Sequence, residues 1–243
     1  MNNTGERLLT IGSRVILFST VGVLLAGLVQ GQGPDMQQRV AEMKMAAAMN
    51  KQALAQMTWV ETVTISLKGE QKKVEHFQVR LGPDGKPQKT SLDQPAAPPQ
   101  ESGRRGRVKA HVVEKKKEEY KEYADQMKAL TEQYLPPSKE MIEQAYGKGG
   151  IAMAPAGAPG QIKLIMRDYL KPQDSMTLVV DKAQKQLLAV EIASYMSDPK
   201  DAMTATVQFS RVQDGSNQIS GVTINGVSKQ LTIAVADTNY QHI

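Results

Sequence analysis

From residue 162 onward the chain is written as short alternating runs separated by turn formers, and that pattern leaves few folds open. In one run Met203, Ala205, Val207 and Phe209 alternate with Thr204, Thr206, Gln208 and Ser210. Successive strand side chains point to opposite faces, so such a run packs one face and leaves the other wet or facing a cavity. The pattern predicts strands over 162–170, 175–180, 186–195, 202–212, 218–224 and 229–236. Lys171-Pro172-Gln173-Asp174, Asp181-Lys182-Ala183, Ser197-Asp198-Pro199 and Asp214-Gly215-Ser216-Asn217 punctuate them. Links this short join antiparallel neighbours; a parallel crossover needs a dozen residues or more. The second half is therefore expected to be an antiparallel meander.

The first half mixes periods. Residues 36–57 read as a helix, with Val40, Met43, Ala47, Leu54 and Met57 at helical spacings and Asp35 as N-cap. A strand over 59–67 follows, carrying Trp59, Val63, Ile65 and Leu67 on one face and Thr62, Thr64 and Ser66 on the other. Glu61 is the exception on its apolar side. A second strand, 74–81, places Phe77, Val79 and Leu81 together, and the turn Gly82-Pro83-Asp84-Gly85 returns the chain into a strand over 88–92. Residues 93–109, with their prolines and the Gly103-Arg104-Arg105-Gly106-Arg107 stretch, read as an exposed mobile loop. In 113–134 Val113, Tyr120, Met127 and Tyr134 lie seven apart with Tyr123 and Leu130 between them, which predicts an amphipathic helix. Pro136-Pro137 stop it, a short helix is expected over 138–146, and 147–160 reads as flexible. The order of elements implies an α+β fold: one strongly curved antiparallel sheet with helices on its concave face.

The N-terminus addresses location. Arg7 and Arg14 precede an apolar run over 15–29, and a small-residue exit, Gln30-Gly31-Gln32-Gly33, follows. This is the layout of a secretory signal peptide ending at residue 31, which makes the protein periplasmic or secreted. The alternative is an uncleaved anchor in the inner membrane through residues 15–29, although about 15 apolar residues fall short of the roughly 20 that span a bilayer. The remaining 32–243 would form a single domain. The chain has no cysteine, so neither disulfides nor cysteine lipidation are available to it.

Composition narrows the function classes. Hydrophobic residues make up 40% of the chain, enough for a core, yet aromatics are few, and 13 methionines replace them. Flexible thioethers fill irregular cores and line adaptable apolar grooves. The net charge of +5 is concentrated at 104–121, where Arg104, Arg105, Arg107, Lys109, Lys115, Lys116, Lys117 and Lys121 outnumber Glu114, Glu118 and Glu119. Such a face suits a protein partner or anionic lipid. With Tyr120 the one aromatic among the cations it does not suit nucleic acid.

No catalytic pattern emerges. His76, His111 and His242 are the only histidines and share no metal-ligand spacing, and no nucleophile elbow, phosphate loop or dinucleotide fingerprint occurs. Asp168, Asp174 and Asp181 read as turn formers, and Glu61 as a strand carboxylate paired with a lysine. The expectation is a non-enzymatic protein with no catalytic residues, no metal site and no cofactor.

Three segments carry a resemblance. They are an N-terminal helix entering the strand Trp59-Val60-Glu61-Thr62-Val63-Thr64-Ile65, a hairpin over 177–192 (Thr-Leu-Val-Val-Asp-Lys-Ala-Gln-Lys-Gln-Leu-Leu-Ala-Val-Glu-Ile), and a strand and turn over 207–215 (Val-Gln-Phe-Ser-Arg-Val-Gln-Asp-Gly). In this layout 32–243 resembles the periplasmic lipoprotein-carrier (LolA/LolB-like) superfamily, with a longer loop (93–109) and a helical insertion (111–146). The resemblance implies an open half-barrel capped by helices that holds acyl chains. It implies a hydrophobic ligand, a lipid or lipoprotein acyl chain, lined by Met43, Met57, Trp59, Val63, Ile65, Phe77, Tyr120, Met127 and Phe209. The same architecture also serves as a sensor-like interaction module of the cell envelope, and that alternative stands beside the carrier reading.

Overall fold

The computed structural model describes residues 52–94 and 104–243 apart from 136, 138, 148, 185 and 214, with only the backbone described for 104–114, 139, 140, 143 and 146. The signal segment, Met43, most of the expected first helix and the middle of the 93–109 stretch lie outside these residues.

One turn of helix over 52–55 leads into β1 (Met57–Leu67), which forms a hairpin with β2 (Glu70–Leu81), itself followed by β3 (Pro87–Ser91). Two helices follow, α1 (Arg104–Tyr134) and α2 (Lys139–Gly147). The meander then runs β4 (Ile151–Pro155), β5 (Gln161–Arg167), β6 (Ser175–Asp181), β7 (Gln186–Tyr195), β8 (Ala202–Arg211), β9 (Asn217–Gly226) and β10 (Leu231–His242). All ten strands form one sheet in the order β3-β2-β1-β10-β9-β8-β7-β6-β5-β4, and every neighbouring pair is antiparallel. The sheet stays open: β3 and β4 are its two edges, and the α1–α2 segment is the chain that links them.

The antiparallel meander is as the sequence reads, and 186–195 matches β7 to the residue. Four expectations need correction. Strands dominate the described residues, so the fold is mainly β where the α+β class was expected. Residues 151–155, expected to be flexible, form edge strand β4, in which Ile151 pairs with Met166 and Met153 with Leu164. A partner strand supplies the hydrogen bonds that their alanine-rich composition does not advertise. Helix α1 starts at Arg104, inside the expected loop, because arginine, lysine and alanine are good helix formers. Met57, expected at a helix end, opens β1.

Alternation sets the core. Trp59, Val63, Phe77, Val79, Leu81, Met203, Ala205, Val207, Phe209, Leu231, Ile233 and Val235 are all buried and join one cluster with Tyr123, Met127, Tyr134 and Ile142 of the helices. At Gly226 α1 lies directly on the sheet: a Cβ there would run into Met127 Sδ and the Tyr123 ring. The expected stripe on α1 thus faces inward, although Tyr120 and Leu130 are only half-buried and Ala124, Lys128 and Thr131 share the buried side.

Candidate functional site

The inward face of β1 carries one ionisable residue, Glu61, at the position its alternation assigns to the core, and it is 2% exposed. The register sets Asp237 of β10 directly opposite it. Cross-strand partners hold their Cβ atoms about 5 Å apart, so two carboxyl groups share one patch of the inner face. Lys89 of β3 reaches across β2 to form an ion pair with Glu61, and both side chains are nearly sealed. From above, Lys128 of α1 is buried over the same patch; burial holds its ammonium below the usual lysine range, while Asp125, Glu132 and Glu61 counter that shift and Lys89 adds to it.

A bulge shapes this corner. Thr58 pairs with Gln241 but Val60 pairs with Thr238, so β10 carries one extra residue, and Asn239 takes a left-handed φ of 55°. The extra residue shifts the alternation, so Tyr240 faces inward as Asp237 does. There its ring stacks on Trp59 at 5.6 Å and its hydroxyl donates to the Ile219 carbonyl at 2.7 Å.

The electrostatics are asymmetric. Burial pushes the Asp237 carboxyl up to about 7, the Glu61 carboxylate pushes the same way, and Lys89 and the Trp59 indole N–H oppose it. Although Asp237 as a residue is partly exposed, its Oδ1 is sealed and completes no hydrogen bond, and the same is true of Trp59 Nε1. The indole N–H lies near enough to the carboxyl to hold back part of that rise.

A second buried polar group lies at the other side of the sheet. Asp174, in the β5–β6 turn, is 2% exposed. It accepts hydrogen bonds from the backbone N–H of Tyr169 at 2.6 Å, Leu170 at 3.1 Å and Lys171 at 2.9 Å, and from the Tyr134 hydroxyl at 2.5 Å. Tyr134 also reaches Ser194 Oγ at 2.8 Å and stacks on Tyr169. Asp168 caps Gln173 N–H, and Asp181 caps Gln184 N–H. All three aspartates are turn formers, as the sequence suggests; Asp174 also ties the end of α1 to the sheet. His76 is exposed and pairs with Asp93 at 2.9 Å, away from both groups.

Of the apolar residues expected to line a ligand, Met57, Trp59, Val63, Phe77, Met127 and Phe209 are buried on the inner face, and Ile65 packs against that cluster. Tyr120 stands apart, half-buried under the Lys229 ammonium. A pocket of about 580 Å³ opens at the rim of the sheet, lined by Ala55, Leu81, the Gly82–Gly85 turn, Gln88 and Ile243 among others. Leu81 is the next inward residue after Val79, the cross-strand partner of Trp59. At about 3.4 Å per residue the pocket wall is therefore roughly 7 Å from the indole's position along the strand. Sequence reading missed Lys89, Lys128 and Asp237. A signal for Asp237 was present, since it continues the inward series Leu231, Ile233, Val235 with a carboxylate.

Among the described residues no cluster of three or more His, Asp or Glu is placed to hold a metal, and no helix is long and apolar enough to cross a membrane. No family model matches the sequence, and no curated protein is significantly similar to it. A solved structure of a DUF1329 family protein from Desulfovibrio piger ATCC 29098 aligns with 83% of this chain and 92% of its own, at 12% identity and a TM-score of 0.36.

Proposed function

We propose that the protein is an exported, non-enzymatic binding protein for a hydrophobic ligand, a lipid or lipoprotein acyl chain, in the cell envelope. The observation that supports this reading best is the combination of an open sheet with a methionine-rich inner face. Met57, Met166, Met176 and Met203 are all buried there, and Met127 of α1 is buried over them. Thioether side chains repack around guests of different shape more readily than branched ones. An open sheet, wrapped as a half-barrel around α1 and α2, can widen at its β3 and β4 edges without breaking a ladder. The driving force is burial of apolar ligand surface, about 25 cal/mol per Å².

The alternative, an interaction module using the stripe on 113–134, gains less support, because Tyr123, Met127 and Tyr134 of that stripe are spent on the core. An enzyme would need its paired carboxylates open to substrate, whereas Glu61 and Asp237 Oδ1 are sealed. The export signal of residues 1–31 and a role of 104–121 at anionic lipid or a protein partner belong to the same proposal.

Native mass spectrometry of protein recovered from an exported preparation, before and after delipidation, tests it. Co-purifying masses of lipid size that vanish on delipidation and return with added lipid are expected. A ligand-free protein that takes up no acyl probe overturns the carrier reading in favour of the interaction module.

A further inference from the structure

Helix α1 has one side on the sheet and another turned away from it. The ties to the sheet run from Glu119, paired with Lys229, through the Tyr123 hydroxyl on Asp201, to Tyr134 on Asp174. Residues 104–118 precede the first of these ties, about 22 Å of helix at 1.5 Å per residue. The side turned away is exposed at Glu118, Glu122, Gln126 and Ala129, which with Lys121 and Asp125 line a shallow groove of about 500 Å³. The helical repeat carries that side back through positions 115, 111, 107 and 104, which hold Lys115, His111, Arg107 and Arg104. One stripe is therefore basic over its first half and acidic over its second. This order opposes the dipole of the helix itself, which favours acids in the first turn and bases in the last. The first turn of α1 has no acid and its last turn no base. An antiparallel neighbour reverses the balance, because its dipole and its charge order run the other way.

We propose that this stripe is the interface between two copies of the chain, paired antiparallel through α1 about a two-fold axis between Lys116 and Lys117. Counting outward from that axis sets Lys115 opposite Glu118, His111 opposite Glu122 and Arg104 opposite Ala129, with Arg107 next to Asp125. The two-fold repeats every one of these contacts, so the patch is complementary to itself. The inference commits the 104–121 segment to a protein partner and does not depend on what the sheet binds. A second copy fits the stripe better than an anionic membrane does, because a membrane would meet Glu118, Glu122 and Asp125 on the same side as the bases. Nor does the pairing compete with the core, since Tyr123, Met127 and Tyr134 lie on the other side of the helix, buried against the sheet.

Sedimentation velocity of protein recovered from the exported preparation, from micromolar to submillimolar concentrations, reads the dimer. The natural chain should dimerise at about 0.05 M salt and dissociate at about 1 M, where charges are screened within about 3 Å. Two charge-swapped variants test the register. Glu118→Lys with Glu122→Lys sets Lys115 against a lysine, and His111→Glu with Lys115→Glu sets Glu118 against a glutamate. Each variant alone should dimerise about tenfold more weakly than the natural chain. An equimolar mixture of the two should dimerise at least as well as the natural chain, because every swapped charge then meets its opposite. Thermal melts check that both variants fold; where one does not, the salt response of the natural chain decides. A natural chain that stays monomeric at every concentration overturns the proposal. So does a dimer indifferent to salt, or a mixture that behaves as its separate components do. A monomeric natural chain that co-sediments with vesicles containing anionic phosphatidylglycerol means a lipid surface, and also overturns the pairing. None of these results bears on the hydrophobic-ligand reading, which is decided by the mass of bound lipid.

Discussion

Two buried polar groups sit on opposite sides of the same sheet, and they differ in completeness. Around Asp174 every strong acceptor is used: three backbone N–H groups and the Tyr134 hydroxyl converge on one carboxylate, and burial together with that carboxylate raises the Tyr134 phenol well above its ordinary range. Around Asp237 the balance is different: one ion pair, Glu61–Lys89, is complete, while burial and the Glu61 charge push a second carboxyl beside it up to about 7. A satisfied network fixes a chain and gains little from a visitor. An unsatisfied one stores a cost that a proton or a ligand can remove. On this view the Asp174 group holds α1 to the sheet, and the Asp237 group is where the fold remains responsive.

Breaking the complete side should have the largest effect. Asp174→Ala orphans three backbone donors and the Tyr134 hydroxyl, and should lower the unfolding free energy by about 4 kcal/mol in urea melts, since each hydrogen bond to a charged group is worth about 1.5–3 kcal/mol before relaxation. A loss under about 1 kcal/mol would mean water replaces the carboxylate, and the contrast between the two sides would fade. On the incomplete side, Glu61→Gln breaks a buried ion pair and should cost about 3 kcal/mol. The same change should lower the Asp237 pKa, because a like charge is removed and Lys89 is released toward it. Carboxyl NMR would read that shift, and an unmoved Asp237 would mean the two carboxyls do not communicate. Between the two sides, Gly226→Ala pushes α1 off β9 against Met127 and Tyr123, and should cost about 1–2 kcal/mol as an overpacked contact. A neutral result in thermal melts would show the helix rides loosely over the sheet.

The two regions also differ in how legible they were. Alternation announced the strands, and it placed Glu61 on the core side of β1 before any partner was known. The pairing of β1 with β10 could not be read, because no short turn connects them; only the tertiary register brings Glu61 opposite Asp237. Tyr240 was hidden for a different reason, since one extra residue at Asn239 shifts the period by which inward positions are counted. Strand β4 was missed because Ile-Ala-Met-Ala-Pro has weak intrinsic preference and gains its state from β5. Asp174 was legible as a turn former, but its tie to Tyr134 spans 40 residues of sequence.

The most direct test compares stability against pH for the natural chain and Asp237→Asn. The folded Asp237 carboxyl titrates near about 7, and an unfolded aspartate near about 4. The folded protein therefore keeps a proton across that window that the unfolded chain gives up. The stabilisation from this group is complete at the acid end and is lost as the pH rises through 7. The variant has no such proton, so its stability relative to the natural chain should climb between pH 4 and 7 by a few kcal/mol, on the order of 4 at most, and level off above. A difference between the two proteins that stays constant from pH 4 to 8 would contradict the account, because Asp237 would then be as well satisfied in the fold as Asp174.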